Sequence, residues 1–213
     1  MPGPLILTSV GIRLGGFTIL RDVTVSVGTG EVIGVVGGNG SGKTTLIRMM
    51  ATLLSPRSGD GSVLGARMGT SEVYPVRQRI GLISHIPAVI PELTLADHLQ
   101  HVVRLSGLDT GRIPAALRAV GLDGAADRKG AESSFGMLRR TEVARLLIAE
   151  PEILLLDEAF SGLDSEAVSL IDVVIERTIT REGAVVIVSH DRSQMRVARR
   201  VLAIDGGTLR AGP

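Results

Sequence analysis

Short apolar runs bounded by polar or glycine residues dominate the hydrophobic pattern of this chain. Val32–Val36, Ile153–Leu156 and Ala184–Val188 are the clearest of them. Runs of this length are typical of central parallel strands that are covered on both faces. The pattern therefore predicts an α/β domain built on a buried, mainly parallel sheet.

Alternating and helical patterns predict the elements around these runs. The predicted strands are Leu5–Leu14, Thr18–Val27, Glu31–Val36, Gly61–Leu64, Arg79–Ser84, Ile153–Leu156 and Ala184–Ser189, with a hairpin about Asp205-Gly206-Gly207. The predicted helices are Lys43–Leu54, Ala96–Ser106, Arg112–Val120, Leu138–Ala149, Ser165–Arg181 and a short one near Arg192–Ala198. The stretch from about Ala88 to Arg140 is helical in pattern, and we expect it to form its own subdomain.

The length and composition narrow the class of protein. A chain of 213 residues suits one α/β domain. No uncharged run approaches the ~18 apolar residues of a membrane span, and the start lacks the features of a signal peptide. With 23 basic and 22 acidic residues, the chain has no electrostatic footprint for nucleic acid, so none is expected as a partner. Cysteine is absent, which excludes disulfides and thiolate metal sites.

A phosphate-binding loop is the strongest chemical signal. Residues 37–44 fit G-x-x-x-x-G-K-[ST] in full, after an apolar strand and at the start of a helix. Backbone N–H groups of such a loop point at phosphate oxygens, and the helix N-terminus adds its positive end. The predicted nucleotide contacts are Gly37, Gly38, Asn39, Gly40, Ser41, Gly42, Lys43, Thr44 and Thr45. Lys43, one of only two lysines, would hold the β- and γ-phosphates, and the Thr44 hydroxyl would ligate Mg²⁺.

Two further strands predict catalytic groups at the same edge of the sheet. Asp157 and Glu158 follow the apolar run Ile153–Leu156, and His190 follows Ala184–Ser189. Ligands of open α/β sheets lie at the carboxyl ends of the strands. We expect Asp157 to hold Mg²⁺, Glu158 to polarise the attacking water and His190 to sense the γ-phosphate.

Over essentially its whole length the chain resembles the ATPase of an ATP-binding cassette (ABC) transporter. The run Asp157–Asp164 reads DEAFSGLD, close to the family's DEPTSGLD, and includes the D-loop. Gly37–Thr44 resembles Walker A, Ile153–Glu158 Walker B, and His190 the switch histidine. The family signature LSGGQ is degenerate here, as Ser133–Met137. It keeps Ser134 and Gly136, while Phe135 replaces a glycine.

Two other positions depart from the family pattern. His85 aligns with the Q-loop glutamine, and imidazole is a poorer Mg²⁺ ligand than an amide oxygen. The aromatic residue that stacks on adenine corresponds to Leu14 or, with a shifted turn, to Phe17.

The resemblance implies both a fold and a function. The fold is that of a P-loop NTPase, with a central mainly parallel sheet, an N-terminal antiparallel β-subdomain and a helical subdomain inserted at about 88–140 of a single domain, 1–213. The function is hydrolysis of ATP with Mg²⁺ to drive transport, export being favoured, through a polytopic membrane permease. The ATPase would lie on the cytoplasmic face of the membrane. Its helical subdomain and the segment about His85–Leu95 would dock a cytoplasmic loop of the permease.

The resemblance also implies a head-to-tail dimer, of identical or different subunits, with two ATPs at the interface. Each site would join the P-loop, Asp157, Glu158 and His190 of one subunit to Ser134, Gly136 and Asp164 of the other. Two alternatives stay open at this point. One is a non-transport ABC ATPase acting on ribosomes or DNA. The other is a nucleotide-binding subunit of low activity that pairs with a more active cassette.

Overall fold

The computed structural model describes residues 3–212. Its ten strands within that range are β1 Leu5–Leu14, β2 Phe17–Val27, β3 Val32–Val36, β4 Ser58–Val63, β5 Ala66–Arg67, β6 Ile80–Ile83, β7 Ile153–Asp157, β8 Ala184–Ser189, β9 Arg200–Asp205 and β10 Thr208–Ala211. Its six α-helices there are α1 Lys43–Met50, α2 Val73–Val76, α3 Leu95–Leu105, α4 Ile113–Ala119, α5 Phe135–Ala149 and α6 Ser165–Thr180. Short 3₁₀ turns lie at Arg77–Arg79, Thr110–Arg112, Asp123–Ala125, Gly130–Glu132 and Arg192–Met195.

The strands form two sheets. An antiparallel sheet has the order β2-β1-β4-β5, and the second sheet has the order β10-β9-β3-β8-β7-β6. In the second sheet β3 pairs in parallel with both β8 and β9, β7 pairs in parallel with β8, and β10 is antiparallel to β9. The predicted combination of a mainly parallel sheet with an N-terminal antiparallel sheet is confirmed.

The described residues divide into two compact units. The first contains the described residues up to Leu82, Pro151–Glu158 and those from Thr178 onward. Its core lies between the two sheets and α1, where buried Leu, Ile and Val side chains of β1, β2, β3, β7 and β8 meet the Leu, Ile and Met side chains of α1. Each fully buried aliphatic side chain contributes about 1.5–3 kcal/mol relative to an exposed one. The continuous apolar runs of β7 and β8 therefore serve as the central strands.

The second unit, Ile83–Glu150 with Ala159–Arg177, is helical. Helices α3, α4 and α5 pack against one another. Their buried faces include Leu99 and Val103 of α3, Leu117 of α4 and Leu146 of α5. The Thr94 hydroxyl caps α3 by accepting a hydrogen bond from the backbone N–H of Asp97 at 3.0 Å.

Several predicted bounds are wrong, for local reasons. The helix predicted over Lys43–Leu54 ends at Met50, because Thr52 adopts a left-handed φ of 60° well before Pro56. The strand predicted at Gly61–Leu64 is β4, Ser58–Val63, which ends where Leu64 turns with φ 50°. The helix predicted near Arg192–Ala198 is only the 3₁₀ turn Arg192–Met195, capped by Asp191. Helix α5 begins earlier than the predicted Leu138, because Ser134 caps it.

Two short elements were not predicted from the sequence, whereas the hairpin near the end of the chain was predicted. The missed elements are α2 and β5, of four and two residues. The hairpin about Asp205-Gly206-Gly207 is present: Asp205 pairs with Thr208, and both loop glycines have positive φ, 52° and 80°.

Candidate ATP site

The phosphate loop connects β3 to α1 in the first unit. Gly42, the residue before α1, has φ 107°, a region that L side chains rarely adopt. A Cβ at Gly37 would lie 2.5 Å from the carbonyl oxygen of Ile204. A Cβ at Gly38 or Gly40 would meet nothing within 4 Å, so the backbone is uncovered at these two positions. The loop therefore leaves room for a phosphate chain beside its backbone.

Lys43 lies over this loop. Its side chain is largely buried, and Nζ donates hydrogen bonds of 2.7 Å to the carbonyl oxygens of Gly37 and Gly38. Lys43 thus holds an ammonium at the open side of the loop, where it can exchange these carbonyls for phosphate oxygens. The Ser41 Oγ is buried without a hydrogen-bond partner, so the loop also carries an unused polar group. These observations fit ATP.

Glu158 is held at the carboxyl edge of the parallel sheet. It follows β7 with φ 52°, and its backbone N–H donates to the Val188 carbonyl at 2.9 Å. The Ser189 hydroxyl donates to Oε2 at 2.8 Å, and the backbone N–H of His190 donates to Oε1 at 2.8 Å. The side chain is only 13% exposed. The carboxylate thus has a fixed position at the strand ends.

His190 completes this cluster. Its Nδ1 lies 3.0 Å from both oxygens of Glu158, and 61% of its side chain is exposed. Because an ionised carboxylate only accepts hydrogen bonds, Nδ1 carries a proton in this arrangement. The role of His190 as a sensor of the γ-phosphate stays a prediction.

The environment of Glu158 favours its ionised form. Partial burial acts to raise the pKa of Glu158, but the hydrogen bonds from His190 and Ser189 outweigh burial and hold this pKa below its usual range. Glu158 is therefore a carboxylate at neutral pH. It can accept a hydrogen bond from a water molecule and orient that water for attack.

Asp157 and Thr44 are the side chains that would hold Mg²⁺. Asp157 ends β7 and is buried, 3% exposed, and Thr44 lies in the first turn of α1. A carboxylate and a hydroxyl oxygen suit this hard cation, which binds proteins through few side chains together with substrate phosphates. When bound, Mg²⁺ would neutralise negative charge on the β- and γ-phosphates.

The residues predicted for the opposite half of a nucleotide site lie together in the second unit. Ser134, Gly136 and Asp164 line one cleft of about 460 Å³, with Arg140 beside them. Ser134 Oγ accepts a hydrogen bond of 3.2 Å from the Met137 N–H, and Asp164 Oδ1 accepts one of 2.7 Å from the Ala167 N–H. Both side chains therefore cap helices, and the cleft is lined by two helix starts.

Phe135 and His85 lie outside this cleft. Phe135 is the first residue of α5. Its side chain is partly exposed, and the Arg139 guanidinium lies 5.4 Å from its ring centroid. His85 is exposed. Leu14 and Phe17, the two candidates for adenine stacking, pair across the β1–β2 turn and are 42% and 75% exposed. Their predicted roles stay predictions.

Sequence reasoning missed a buried ion pair in the second unit. Arg139 and Glu142 lie on α5 with 2.6 Å between Nη1 and Oε2, and their side chains are 0% and 4% exposed. Burial raises the pKa of Glu142, although Arg139, the Ala88 N–H and Arg145 oppose that shift. A signal was available: the pair shares a helix face with Val143 and Leu146, which are apolar.

Comparisons with known proteins show the family of the chain. Residues 20–161, more than half of the chain, match the family described as ABC transporter. The chain is 36% identical over 203 residues to the molybdenum import ATP-binding protein ModC of Mycobacterium tuberculosis, covering 88% of this chain and 55% of ModC. It thus spans about half the length of that relative.

Two other relatives have names that refer to export. The cytochrome c biogenesis ATP-binding export protein CcmA 2 of Cupriavidus metallidurans is 29% identical over 201 residues, covering 93% of this chain and 95% of CcmA 2. The Nod factor export ATP-binding protein I of Rhizobium johnstonii is 31% identical over 211 residues, covering 97% and 68%.

Solved structures share the fold. A structure described as the ATP binding subunit of an ABC transporter has a TM-score of 0.88 at 26% identity, covering 97% of this chain and 88% of that one. A dimeric ATP-binding cassette in a post-hydrolysis state with ADP and Pi has a TM-score of 0.85, with 96% of each chain covered. At 23% identity the latter shows the fold alone.

In the described part of the chain, no helix has the length and apolar character needed to cross a membrane. The family match and the relatives together confirm the resemblance found in the sequence: the chain belongs to the ABC transporter family.

Proposed function

We propose that this ATPase drives substrate across a membrane through a polytopic permease, working as a head-to-tail dimer on the cytoplasmic face. The observation that supports this most directly is the arrangement of Lys43 over the open phosphate loop and of Glu158 at the adjoining strand ends. Val36 of β3 pairs with Ser189 of β8, and Asp157 of β7 pairs with Val188 of the same strand. The P-loop, Glu158 and His190 therefore follow three neighbouring strands.

In this proposal the two halves of each site come from different subunits. One copy supplies Gly37–Thr44, Asp157, Glu158 and His190, and the other supplies Ser134, Gly136 and Asp164 from its cleft. Ser134 would turn its hydroxyl toward the γ-phosphate, which adds to the anion-binding character of a helix start. ATP closes the dimer because its phosphates contact both copies, and hydrolysis removes the contact that holds them.

Export is the direction that we propose. The relatives CcmA 2 and Nod factor export protein I support it, because both are named for export. ModC is named for import, so direction requires its own measurement. Vesicles that contain the complex with the ATP site outside would accumulate substrate in an export system and lose it in an import system.

A low-activity role beside a more active cassette is the second candidate. Phe135 favours it, because its exposed side chain stands at the start of α5, where the family has a glycine. In that case the partner in the dimer would be a different subunit, and the isolated chain would hydrolyse ATP slowly.

The two lysines provide a matched test of the ATP site. Lys43→Ala removes a charged hydrogen-bond donor, and such donors contribute about 1.5–3 kcal/mol, so ATP affinity should fall roughly 10- to 100-fold. Lys129→Ala removes an exposed lysine and should leave affinity unchanged. Titration calorimetry with ATP-Mg²⁺ measures both. Equal affinities in the two variants would contradict the site.

Glu158→Gln tests the catalytic carboxylate and the dimer. General-base catalysis typically contributes 10²–10⁴-fold, so we expect ATP turnover to fall about 100-fold or more while ATP still binds. The variant should then form a stable ATP-bound dimer, which light scattering detects. A chain that stays monomeric at saturating ATP-Mg²⁺ would rule out a homodimeric sandwich and leave a heterodimer.

A further inference from the structure

The hairpin between β9 and β10 contacts the phosphate loop within the first unit. Gly207, in the turn of the hairpin, donates its backbone N–H to the carbonyl of Ser41 at 3.2 Å. The carbonyl of Gly207 accepts a hydrogen bond of 2.8 Å from the backbone N–H of Arg21 in β2. Ser41 lies inside the loop, residues 37–44. One residue of the hairpin therefore bridges the phosphate loop and the antiparallel sheet.

Gly207 fits this position because it has no side chain. Its φ is 80°, and a Cβ would collide with the carbonyl oxygen of Ile19 in β2 and lie 2.9 Å from the carbonyl carbon of the same residue. A side chain would therefore push the hairpin away from β2. The neighbouring Gly206 also has a positive φ, 52°, but a Cβ there would meet nothing within 4 Å. The two glycines share a left-handed backbone and differ in what surrounds them.

Ile204, the residue before the last of β9, contacts the loop at its first and last glycines. Strand β9 runs parallel to β3 and pairs Ala203 with Val36, so Ile204 stands level with Gly37. Its Cγ2 lies 2.8 Å from the place of a Cβ at Gly37, and its Cδ1 lies 3.5 Å from that place at Gly42. Ile204 is 1% exposed. The strand that leads into the hairpin is thus packed tightly against the loop.

The hydrogen bond from Gly207 fixes the direction of one peptide group of the loop. In a trans peptide, the carbonyl and the N–H of the next residue point in opposite directions. Because the Ser41 carbonyl points to the hairpin, the N–H of Gly42 points away from it. Backbone N–H groups of such a loop are donors to phosphate oxygens. The hairpin therefore determines which way one candidate phosphate donor faces.

This bond differs from the other contacts of the loop in what phosphate would do to it. Lys43 Nζ donates to the carbonyls of Gly37 and Gly38, and in the proposed site it exchanges them for phosphate oxygens. The bond between Gly207 and the Ser41 carbonyl involves no lysine and lies on the hairpin side of the peptide. It can therefore hold the loop both before and after nucleotide binds.

We propose that Gly207 is a positioning residue for ATP binding, which holds the Ser41–Gly42 peptide in the orientation that phosphate requires. The proposal rests on the proposed ATP site at residues 37–44. Gly207 acts through the Ser41 carbonyl rather than by contact with ATP. When the close packing of the hairpin on β2 is lost, this peptide is released, and the N–H of Gly42 is lost as a donor.

Alanine at the two glycines of the hairpin provides a matched test in the full chain. Gly207→Ala places a Cβ against Ile19, so the Kd for ATP-Mg²⁺ should rise about tenfold or more, as expected for the loss of one hydrogen bond to a charged group. Gly206→Ala requires the same left-handed backbone but meets no neighbour, so its Kd should stay within about twofold of the parent value. Titration calorimetry measures both.

Denaturant unfolding without nucleotide separates positioning from general damage. A chain that is at least about nine-tenths folded can raise the apparent Kd by no more than roughly 10% through its unfolded fraction. A tenfold rise in a folded Gly207→Ala chain therefore reports a misplaced loop. A parent-like Kd in this variant, or an equal rise in Gly206→Ala, overturns the proposal.

The amide proton of Gly42 gives a spectroscopic signature of the same effect. In the Glu158→Gln background, saturating ATP-Mg²⁺ should shift this proton downfield, because a phosphate oxygen accepts it. The shift should persist with Gly206→Ala and disappear with Gly207→Ala. The same downfield shift in all three chains would refute the role of Gly207.

Hydrogen exchange keeps the proposal testable if Gly207→Ala does not fold. Bound ATP would hold the Ser41 carbonyl in place, so exchange of the Gly207 amide in the Glu158→Gln chain should slow about fivefold or more, the lower end of typical coupling. An exchange rate that saturating ATP-Mg²⁺ leaves unchanged overturns the proposal without any change to the hairpin.

Lys43→Ala in the same calorimeter separates this proposal from the site on which it rests. Weaker binding in Lys43→Ala together with parent-like binding in Gly207→Ala would leave the ATP site standing and refute the role of the hairpin alone. Parent-like binding in both variants would refute the ATP site itself.

Discussion

At the scale of single residues, two glycines of the phosphate loop differ in what surrounds them. Gly42 combines φ 107° with a Leu20 methyl only 2.9 Å from the place of a Cβ. Gly38 has open space at the same position. Gly42 therefore permits the backbone conformation of the loop, whereas Gly38 leaves open the space in which phosphate would lie.

Alanine at these two positions should separate stability from binding. Gly42→Ala places an L side chain in a left-handed region, which costs about 1–2 kcal/mol, so the free energy of unfolding should fall by at least that amount. Gly38→Ala should change it by less than about 0.5 kcal/mol, as an exposed substitution does, yet weaken ATP binding because the methyl occupies the open space. Denaturant unfolding without nucleotide and calorimetry with ATP-Mg²⁺ measure the two effects. Equal loss of stability in both variants would contradict this division.

The roles of these residues were predictable in kind from the sequence. The loop motif predicts the turn and the phosphate-binding role of the lysine, because the spacing of the motif is specific. The contact of Lys43 with the carbonyls of Gly37 and Gly38 was not predictable, because it depends on the path of the backbone. Ser189 was passed over as the last residue of a strand, although it donates to Glu158.

At the scale of elements, the ends of β7 and β8 set the charge of the catalytic carboxylate. Hydrogen bonds from the end of β8 hold the pKa of Glu158 down against partial burial. A lowered pKa means that ionised Glu158 stabilises the fold at pH values above its unfolded pKa. That contribution is lost as the pH falls through the folded pKa.

Ser189→Ala should reduce this contribution. The change removes the donor to Oε2 and raises the pKa of Glu158 toward its unfolded value, so the variant should be less stable than the parent at neutral pH and should lose less stability than the parent between neutral and acidic pH. Carbon-13 NMR of the Glu158 carboxyl gives its pKa, and unfolding at several pH values gives the stability. Ser193→Ala is the control, since Ser193 bonds Asp191 rather than Glu158. A Glu158 pKa that does not move in Ser189→Ala would refute this account.

The elements were predictable to different degrees. The long alternating strand β1 matches its predicted bounds, Leu5–Leu14, because both its pattern and its turn glycines are strong. Helix ends were less predictable. The start of α5 depends on the side-chain cap of Ser134, and the end of α1 depends on the left-handed backbone of Thr52. The buried pair of Arg139 and Glu142 was not predicted, although its spacing from Val143 and Leu146 places it on an apolar helix face.

At the scale of the whole molecule, the proposed function gives the chain two incomplete nucleotide surfaces. The P-loop surface belongs to the first unit, and the cleft with Ser134, Gly136 and Asp164 belongs to the second. In the proposed head-to-tail dimer each surface is completed by the other copy. Two copies with different defects should then restore one whole site.

Mixing variants tests this arrangement. Lys43→Ala disables the P-loop, and Ser134→Trp fills the cleft, so each homodimer should be inactive. A mixture should regain ATPase activity, because the Lys43→Ala copy offers its intact cleft to the intact P-loop of the Ser134→Trp copy. Steady-state phosphate release at a one-to-one ratio is the measurement, with each variant alone as control. Activity of the mixture no greater than the sum of its parts would exclude the shared site.

The cleft has a genetic consequence as well. In the proposed dimer, a copy whose P-loop is dead would still lend its cleft to a normal neighbour and would occupy one of the two places on the permease. When co-expressed with the normal chain, it would leave each mixed assembly with one working site, so the inherited defect would lower transport in part rather than abolish it.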